Sequence, residues 1–293
     1  MTTETASDRY RGMDAWPGEK ILDAMLDGQQ TAVAAVRPAL PAMEAAASAA
    51  VPRLRRGGRL VYAGAGTSGR IALQDGVELA PTFGWPTDRV VYLLAGGEGA
   101  LIDSVEGAED DRGAAAAAVD AAAVGPDDVV LGLAASGTTP YTVAAIERSR
   151  RRGALTVGVA NNAGAPLLAA AEHPVLLDTG AEVIAGSTRM KAGTAQKAML
   201  NLFSSLVMVK LGRVHDGYMV DVVATNAKLV RRGEAMLMEM TGADEAAARA
   251  ALARSNGHVK TAVLVLRGLT PDAAAAALER ADGSLRGALA DLS

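Results

Sequence analysis

The chain has 293 residues, half of them apolar, but only two Trp, five Tyr and two Phe, so its core is expected to be built from Ala, Val, Leu and Met. A net charge of −4, from 29 basic and 33 acidic residues, argues against a general nucleic-acid binder. The absence of cysteine excludes thiol nucleophiles, disulfides and Cys-ligated metal centres, and His173, His215 and His258 lie too far apart in sequence for a His-rich metal site.

The first twenty residues, MTTETASDRYRGMDAWPGEK, are polar and carry no apolar run of the kind an export signal needs. The segment 21–56 reads as one or two helices. Five short apolar runs follow: Arg59–Ala63, Val90–Ala95, Asp128–Ala134, Leu155–Ala160 and Pro174–Leu177. Each is nearly continuous in apolar residues and soon meets Gly, Ser, Asn or Asp, as strands of a parallel sheet covered on both faces do. Between them lie Ala-rich stretches of high helix propensity, Ala114–Val124 and Val143–Arg152. Thr188–Gly212 reads as a long helix. Its apolar stretch, Ala198–Val209, is too short for a bilayer, which takes ~20 residues. From about Thr241 the pattern changes to short helices. Asp244 and Glu245 sit in one first turn, and Thr270-Pro271 fits an N-cap with proline at the first helical position.

These elements predict an α/β fold, a three-layer αβα sandwich around a parallel sheet, with a small C-terminal helical module. The expected division is an N-terminal helical segment (residues 1–50), an α/β domain (51–213) and a helical C-terminal region (214–293). A soluble cytoplasmic protein is expected, with no nucleic-acid or membrane partner.

Ligands of such sheets sit beyond the carboxyl ends of the strands. The first strand runs into Gly64-Ala-Gly66-Thr67-Ser68-Gly69-Arg70, which matches G-x-G-x-x-G. A dinucleotide loop also wants an acid at the end of the second strand. Here that strand ends in Ala95-Gly-Gly97-Glu98, where the acid comes late, so a dinucleotide is disfavoured. The third strand ends in Ala135-Ser136-Gly137-Thr138-Thr139-Pro140, and Gly186-Ser187-Thr188-Arg189-Met190-Lys191 opens the long helix. Three loops therefore combine glycine, hydroxyls and a helix N-terminus, a pattern that favours a bound anion. The expected contacts are Gly66, Thr67, Ser68, Ser136, Gly137, Thr138, Ser187, Thr188 and Lys191.

With these loops the chain resembles a sugar isomerase (SIS) domain. GAGTSGR at 64–70, Asp75-Gly-Val-Glu78, PTFG at 81–84, AGGE at 95–98 and EGAEDD at 106–111 then follow one family's order. ASGTTPY at 135–141, GSTRMKAGTAQK at 186–197 and MVD at 219–221 continue it. On these motifs the chain resembles the N-acetylmuramic acid 6-phosphate etherases over most of its length. It departs from them at Ala6-Ser7, where Arg-Asn is usual, and at Gly28, Gln29 and Gln30, where an acidic run is usual. Leu79 replaces a common cysteine, and Thr138 stands where many members carry arginine.

The resemblance implies cleavage of the D-lactyl ether at C3 of the sugar, in a homodimer. The open-chain aldehyde acidifies the C2 proton; a base removes it, the lactyl oxygen leaves, and water adds to the alkene. That chemistry needs two carboxylates in different protonation states and neither metal nor redox cofactor. Motif position matches Glu78 to the proton donor and Glu109 to the second carboxylate. Glu106 could share a helical face with Glu109, so the choice between them rests on the resemblance. A helix running unbroken from Ser68 to Glu78 would separate them by ~15 Å, too far for one sugar phosphate to touch both. Either the helix breaks early, at Gly76, or Glu78 serves a site completed by a second subunit. The competing readings are a phosphosugar aldose–ketose isomerase and a non-catalytic sugar-phosphate sensor.

Overall fold

A computed structural model describes residues 2–103, 105–222 and 227–292. In chain order it has α1 (Gly18–Ala34), α2 (Leu40–Arg55), β1 (Leu60–Gly64), α3 (Gly66–Val77), α4 (Leu79–Phe83), β2 (Val90–Leu94), α5 (Arg112–Ala121), β3 (Val129–Ala134), α6 (Pro140–Arg151) and β4 (Leu155–Ala160). There follow α7 (Pro166–Ala170), β5 (His173–Leu176), α8 (Lys191–Lys210), a hairpin of β6 (Val214–His215) and β7 (Tyr218–Met219), and helices α9 (Ala227–Thr241), α10 (Glu245–Arg254), α11 (Val259–Leu266), α12 (Pro271–Arg280) and α13 (Leu285–Ala290). The chain divides into two compact units. The first comprises residues 1–77 and 87–204, the second residues 78–86 and 205–293.

In the first unit the five apolar runs form one parallel sheet of order β2-β1-β3-β4-β5. β1, β3 and β4 are buried along their whole length, as their unbroken apolar sequences require. Alternate residues serve opposite faces. Val61, Ala63 and Val130 pack with Val119, Ile146 and Leu167 of α5, α6 and α7, whereas Tyr62 between them turns to α3, its hydroxyl donating to Asp75 at 3.0 Å. α2 also packs against β3, β4 and β5, completing the layers of helix, sheet and helix. The chain leaves β1 toward β2 on one side and continues through β3 on the other. The order therefore switches direction between β1 and β3, and a crevice opens there at the carboxyl ends.

Two glycines make the turn into α3 possible. A Cβ on Gly64 would lie 3.0 Å from Gly69 Cα, so strand end and helix start touch backbone to backbone. α3 then continues through Gly76 to Val77 without a break. The early break at Gly76 is thereby corrected: Gly76 sits inside the helix, with the Tyr92 hydroxyl 2.6 Å from where its Cβ would be.

The C-terminal helices α9 to α13 bury a core of their own, including Met236, Leu237, Leu252, Val263, Leu264 and Leu285. Thr270 caps α12 by accepting from the Ala273 N–H, as read from Thr270-Pro271. Thr241 instead ends α9, and Asp244 caps α10. In the same unit Arg213 donates to the carbonyls of Phe83 and Gly84 at 2.7 and 3.0 Å and stacks on Trp85 at 5.0 Å. Asp221 pairs with Arg213 at 3.4 Å and with Lys260 at 2.7 Å, so the Phe83–Trp85 turn is held to the C-terminal helices by a half-buried ionic knot. Among the described residues no single helix is long and apolar enough to cross a membrane.

Candidate active site

At the β1/β3 switch point the first unit has an open cavity of about 410 Å³. The turn after β1 gives it Ala65, Gly66, Thr67 and Ser68; the loop after β3 gives it Ala135, Ser136, Thr138, Thr139 and Pro140. Thr188 reaches it from the segment before α8, Glu109 and Asp110 from the turn after β2, and Glu4 from the N-terminus. An adjoining cavity of about 330 Å³ shares Ala65, Gly66 and Glu109 and adds Arg70, Val105 and Glu106. Glu109 lines both cavities. Glu106 lines only the second, which supplies the geometric distinction between these two acids that their spacing alone does not.

Each loop is fixed by its own hydrogen bonds. Ser136 Oγ accepts from the Thr138 N–H at 3.2 Å and from Thr138 Oγ1 at 3.1 Å. A hydroxyl has one proton and two lone pairs, so Ser136 keeps its own proton for another acceptor. Gly137 turns the chain at φ +69°, where a Cβ would fall 2.4 Å from Ala165 Cβ, and its carbonyl accepts from Leu167 at 3.0 Å. Gly137 thus shapes the loop, while Ser136 and Thr138 line the cavity. Arg70 donates to the carbonyls of Leu101 and Ala100 at 3.0 and 2.9 Å, bracing the turn that precedes Glu109. Asp111, just after Glu109 and Asp110, accepts from the Ala114 N–H and starts α5.

The start of α8 is arranged differently. The buried carboxylate of Glu182 accepts from the backbone N–H groups of Lys191 and Ala192, both at 2.9 Å, and occupies the positive end of this helix. Lys191 is itself buried, and its ammonium donates to the Ala181 carbonyl at 2.9 Å. Burial pushes that ammonium below the ordinary lysine value, opposed by the charge of Glu182. Neither Lys191 nor Ser187 is among the residues that line the cavity; Thr188 is. Gly66, Thr67, Ser68, Ser136, Thr138 and Thr188 are therefore brought together with Glu109. Glu78 belongs to the second unit, at the N-terminal end of α4.

Glu4, Asp110 and Thr139 were not singled out by sequence. Asp110 sits in an acidic run, and Thr139 reads as a helix cap. Glu4 falls in a polar tail that carries no periodic signal. Among the described residues lining the cavity there is no Lys or Arg, so an anion there meets hydroxyl and backbone donors. No group of three or more His, Asp or Glu among the described residues is arranged to hold a metal ion.

A parallel sheet of this order, with glycine and hydroxyl loops around its switch point, is that of a SIS-domain protein. Residues 43–150 match the family model of the glucokinase regulatory protein N-terminal SIS domain, and residues 112–206 match that of the SIS domain. The chain is 53% identical over 290 residues to the N-acetylmuramic acid 6-phosphate etherase of Deinococcus radiodurans, covering 99% of this chain and 95% of that one. With the etherase of Mycolicibacterium smegmatis the identity is 47%, over 99% and 97% of the two chains. Among solved structures it is similar to a phosphoheptose isomerase from Francisella tularensis, at 20% identity and a TM-score of 0.48 over 65% of this chain and 97% of that one. The chain belongs to the N-acetylmuramic acid 6-phosphate etherase family.

Proposed function

We propose that this enzyme cleaves the D-lactyl ether of N-acetylmuramic acid 6-phosphate with water, as a carbon–oxygen lyase, giving N-acetylglucosamine 6-phosphate and D-lactate. Besides family membership, one observation carries this reading: Glu109 lines the same cavity as the hydroxyls of Ser68, Ser136 and Thr188. The hydroxyl loops and the N-terminus of α3 take the phosphate, with Thr67 and Thr138 beside them and Gly66 letting the backbone approach. Gly137 and Lys191 support the loops, and Ser187 adjoins Thr188.

Glu109 takes the C2 proton from the open-chain sugar. The electron pair forms the C2–C3 double bond and the lactyl oxygen leaves from C3. Water then adds at C3 and a proton returns to C2. A second acid protonates the leaving oxygen, a role worth roughly 10²–10⁴ in rate.

That acid is Glu78 of a second copy. α3 runs unbroken from Gly66 to Val77. At ~1.5 Å per residue, Val77 lies about 14 Å along the axis from Ser68 and Glu78 follows it, beyond the reach of a sugar phosphate held at Ser68. A homodimer is further supported by the exposed apolar side chains of α1: Leu22, Leu26 and Val33 are 69%, 58% and 55% exposed. We assign residues 1–50, 51–213 and 214–293 to an N-terminal segment, the phosphosugar-binding domain and a helical region. We place the reaction in the cytoplasm, in the recycling of cell-wall amino sugars.

The test is incubation with N-acetylmuramic acid 6-phosphate and an assay for D-lactate. Stoichiometric lactate and N-acetylglucosamine 6-phosphate are expected. A sugar phosphate converted to a ketose without lactate would make the protein an isomerase, and binding without turnover would make it a sensor.

A further inference from the structure

Residues 2–4 are tied to the mouth of the cavity. Thr3 has no exposed surface, and its carbonyl accepts from the Gly186 N–H at 3.2 Å. The Asn162 amide, just past the carboxyl end of β4, clamps the segment from both sides. Its Oδ1 accepts from Thr2 Oγ1 at 3.0 Å and from the Thr3 N–H at 3.3 Å. Its Nδ2 donates to Thr3 Oγ1 and to the Ala135 carbonyl, both at 2.9 Å. Ala135 adjoins Ser136, so the same amide that holds the N-terminus also holds the β3 loop.

This anchoring delivers one side chain, Glu4, to the cavity wall. Its Oε2 lies over Gly186, 3.0 Å from where a Cβ of that glycine would be, so a larger residue at 186 would crowd it. A carboxylate accepts hydrogen bonds and repels anions. It therefore cannot serve the phosphate, which falls to the hydroxyl loops. It suits the donors of the sugar itself, since an acetamido sugar offers hydroxyl and amide N–H groups.

We infer that Glu4 is a substrate-contacting, specificity-determining residue: its carboxylate accepts a hydrogen bond from a hydroxyl or amide N–H of the phosphosugar. This rests on the phosphosugar-binding part of the proposed function. It gives the strapped N-terminus a role in recognition that the catalytic glutamates do not cover.

The test compares the binding of N-acetylglucosamine 6-phosphate and of inorganic phosphate, by calorimetry, to wild type, Glu4→Gln and Glu4→Ala. Losing an acceptor of charged character should weaken the sugar phosphate about 10- to 100-fold. Inorganic phosphate, which has no sugar donors, should bind as before or more tightly, because one negative charge has left the cavity wall. Two results would overturn the inference: sugar-phosphate affinity unchanged in both variants, or both ligands weakened alike, which would mean that Glu4 only shapes the loop. A lactate assay on wild type, run alongside, reports separately on the etherase reading. Absence of lactate with the two affinities split as described would sink that reading and leave Glu4 in place.

Discussion

Replacing Glu182 with alanine should cost the first unit about 3–6 kcal/mol, because each of its carboxylate oxygens accepts one backbone N–H and hydrogen bonds to charged groups are worth ~1.5–3 kcal/mol. The loss has two sources. The N–H groups of Lys191 and Ala192 are left without an acceptor at a buried helix end, where helices ordinarily need a cap. The buried Lys191 also loses the negative charge that counters its desolvation, so its ammonium should fall further below the ordinary lysine value. Glu182→Gln keeps one acceptor oxygen and should cost about half as much. Urea unfolding followed by circular dichroism measures both variants, and amide hydrogen exchange reports the Lys191 and Ala192 N–H groups directly. They should be protected in wild type and exchange quickly in the alanine variant. An alanine variant within about 1 kcal/mol of wild type, with those amides still protected, would refute the account of how α8 begins.

Three further outcomes follow from the geometry. Ser136→Ala removes a proton donor from the cavity and should weaken substrate binding by roughly one to two decades, read as KM; an unchanged KM would remove Ser136 from the phosphate cradle. Burial pushes the Asp75 carboxyl above its ordinary value, against hydrogen bonds donated by Tyr62, Ser204 and Asn201. The folded protein then holds the Asp75 proton longer than the unfolded chain, and this group's contribution to stability falls as pH rises from about 4 through the raised value. Asp75→Asn should therefore gain on wild type as pH rises over that window in thermal unfolding, and a difference that is flat or of opposite sign contradicts this. Finally, Glu78→Gln and Glu109→Gln chains, unfolded and refolded together, should recover lactate release that neither has alone, since a mixed dimer of the proposed kind would keep one site with both glutamates. No recovery would mean that both groups act within one chain.

Much of the sheet was legible in sequence. All five strands match the apolar runs to within a residue at each end, and for β1, β3 and β4 the reason is that a strand covered on both faces leaves an unbroken apolar run between turn residues. The β1 and β3 loops stand out too: one loop of glycine and hydroxyls is usually an ordinary helix cap, but several of them at the carboxyl ends of one parallel sheet point to a shared pocket. The rest depends on contacts distant in sequence. Glu182 caps a helix that starts nine residues later, and nothing in Ala181-Glu182-Val183 announces it. Glu4 reads as part of a polar tail until Asn162, 159 residues beyond Thr3, pins the segment down. α4 and the β6–β7 hairpin are too short to show a period.

In the proposed mechanism Glu109 removes the C2 proton of the sugar, and hydrogen exchange at C2 reads that step alone. NMR in heavy water would follow the C2 proton with wild type, Glu78→Gln and Glu109→Gln. Exchange is expected with wild type and Glu78→Gln, and none with Glu109→Gln. Exchange at the wild-type rate in Glu109→Gln would contradict it.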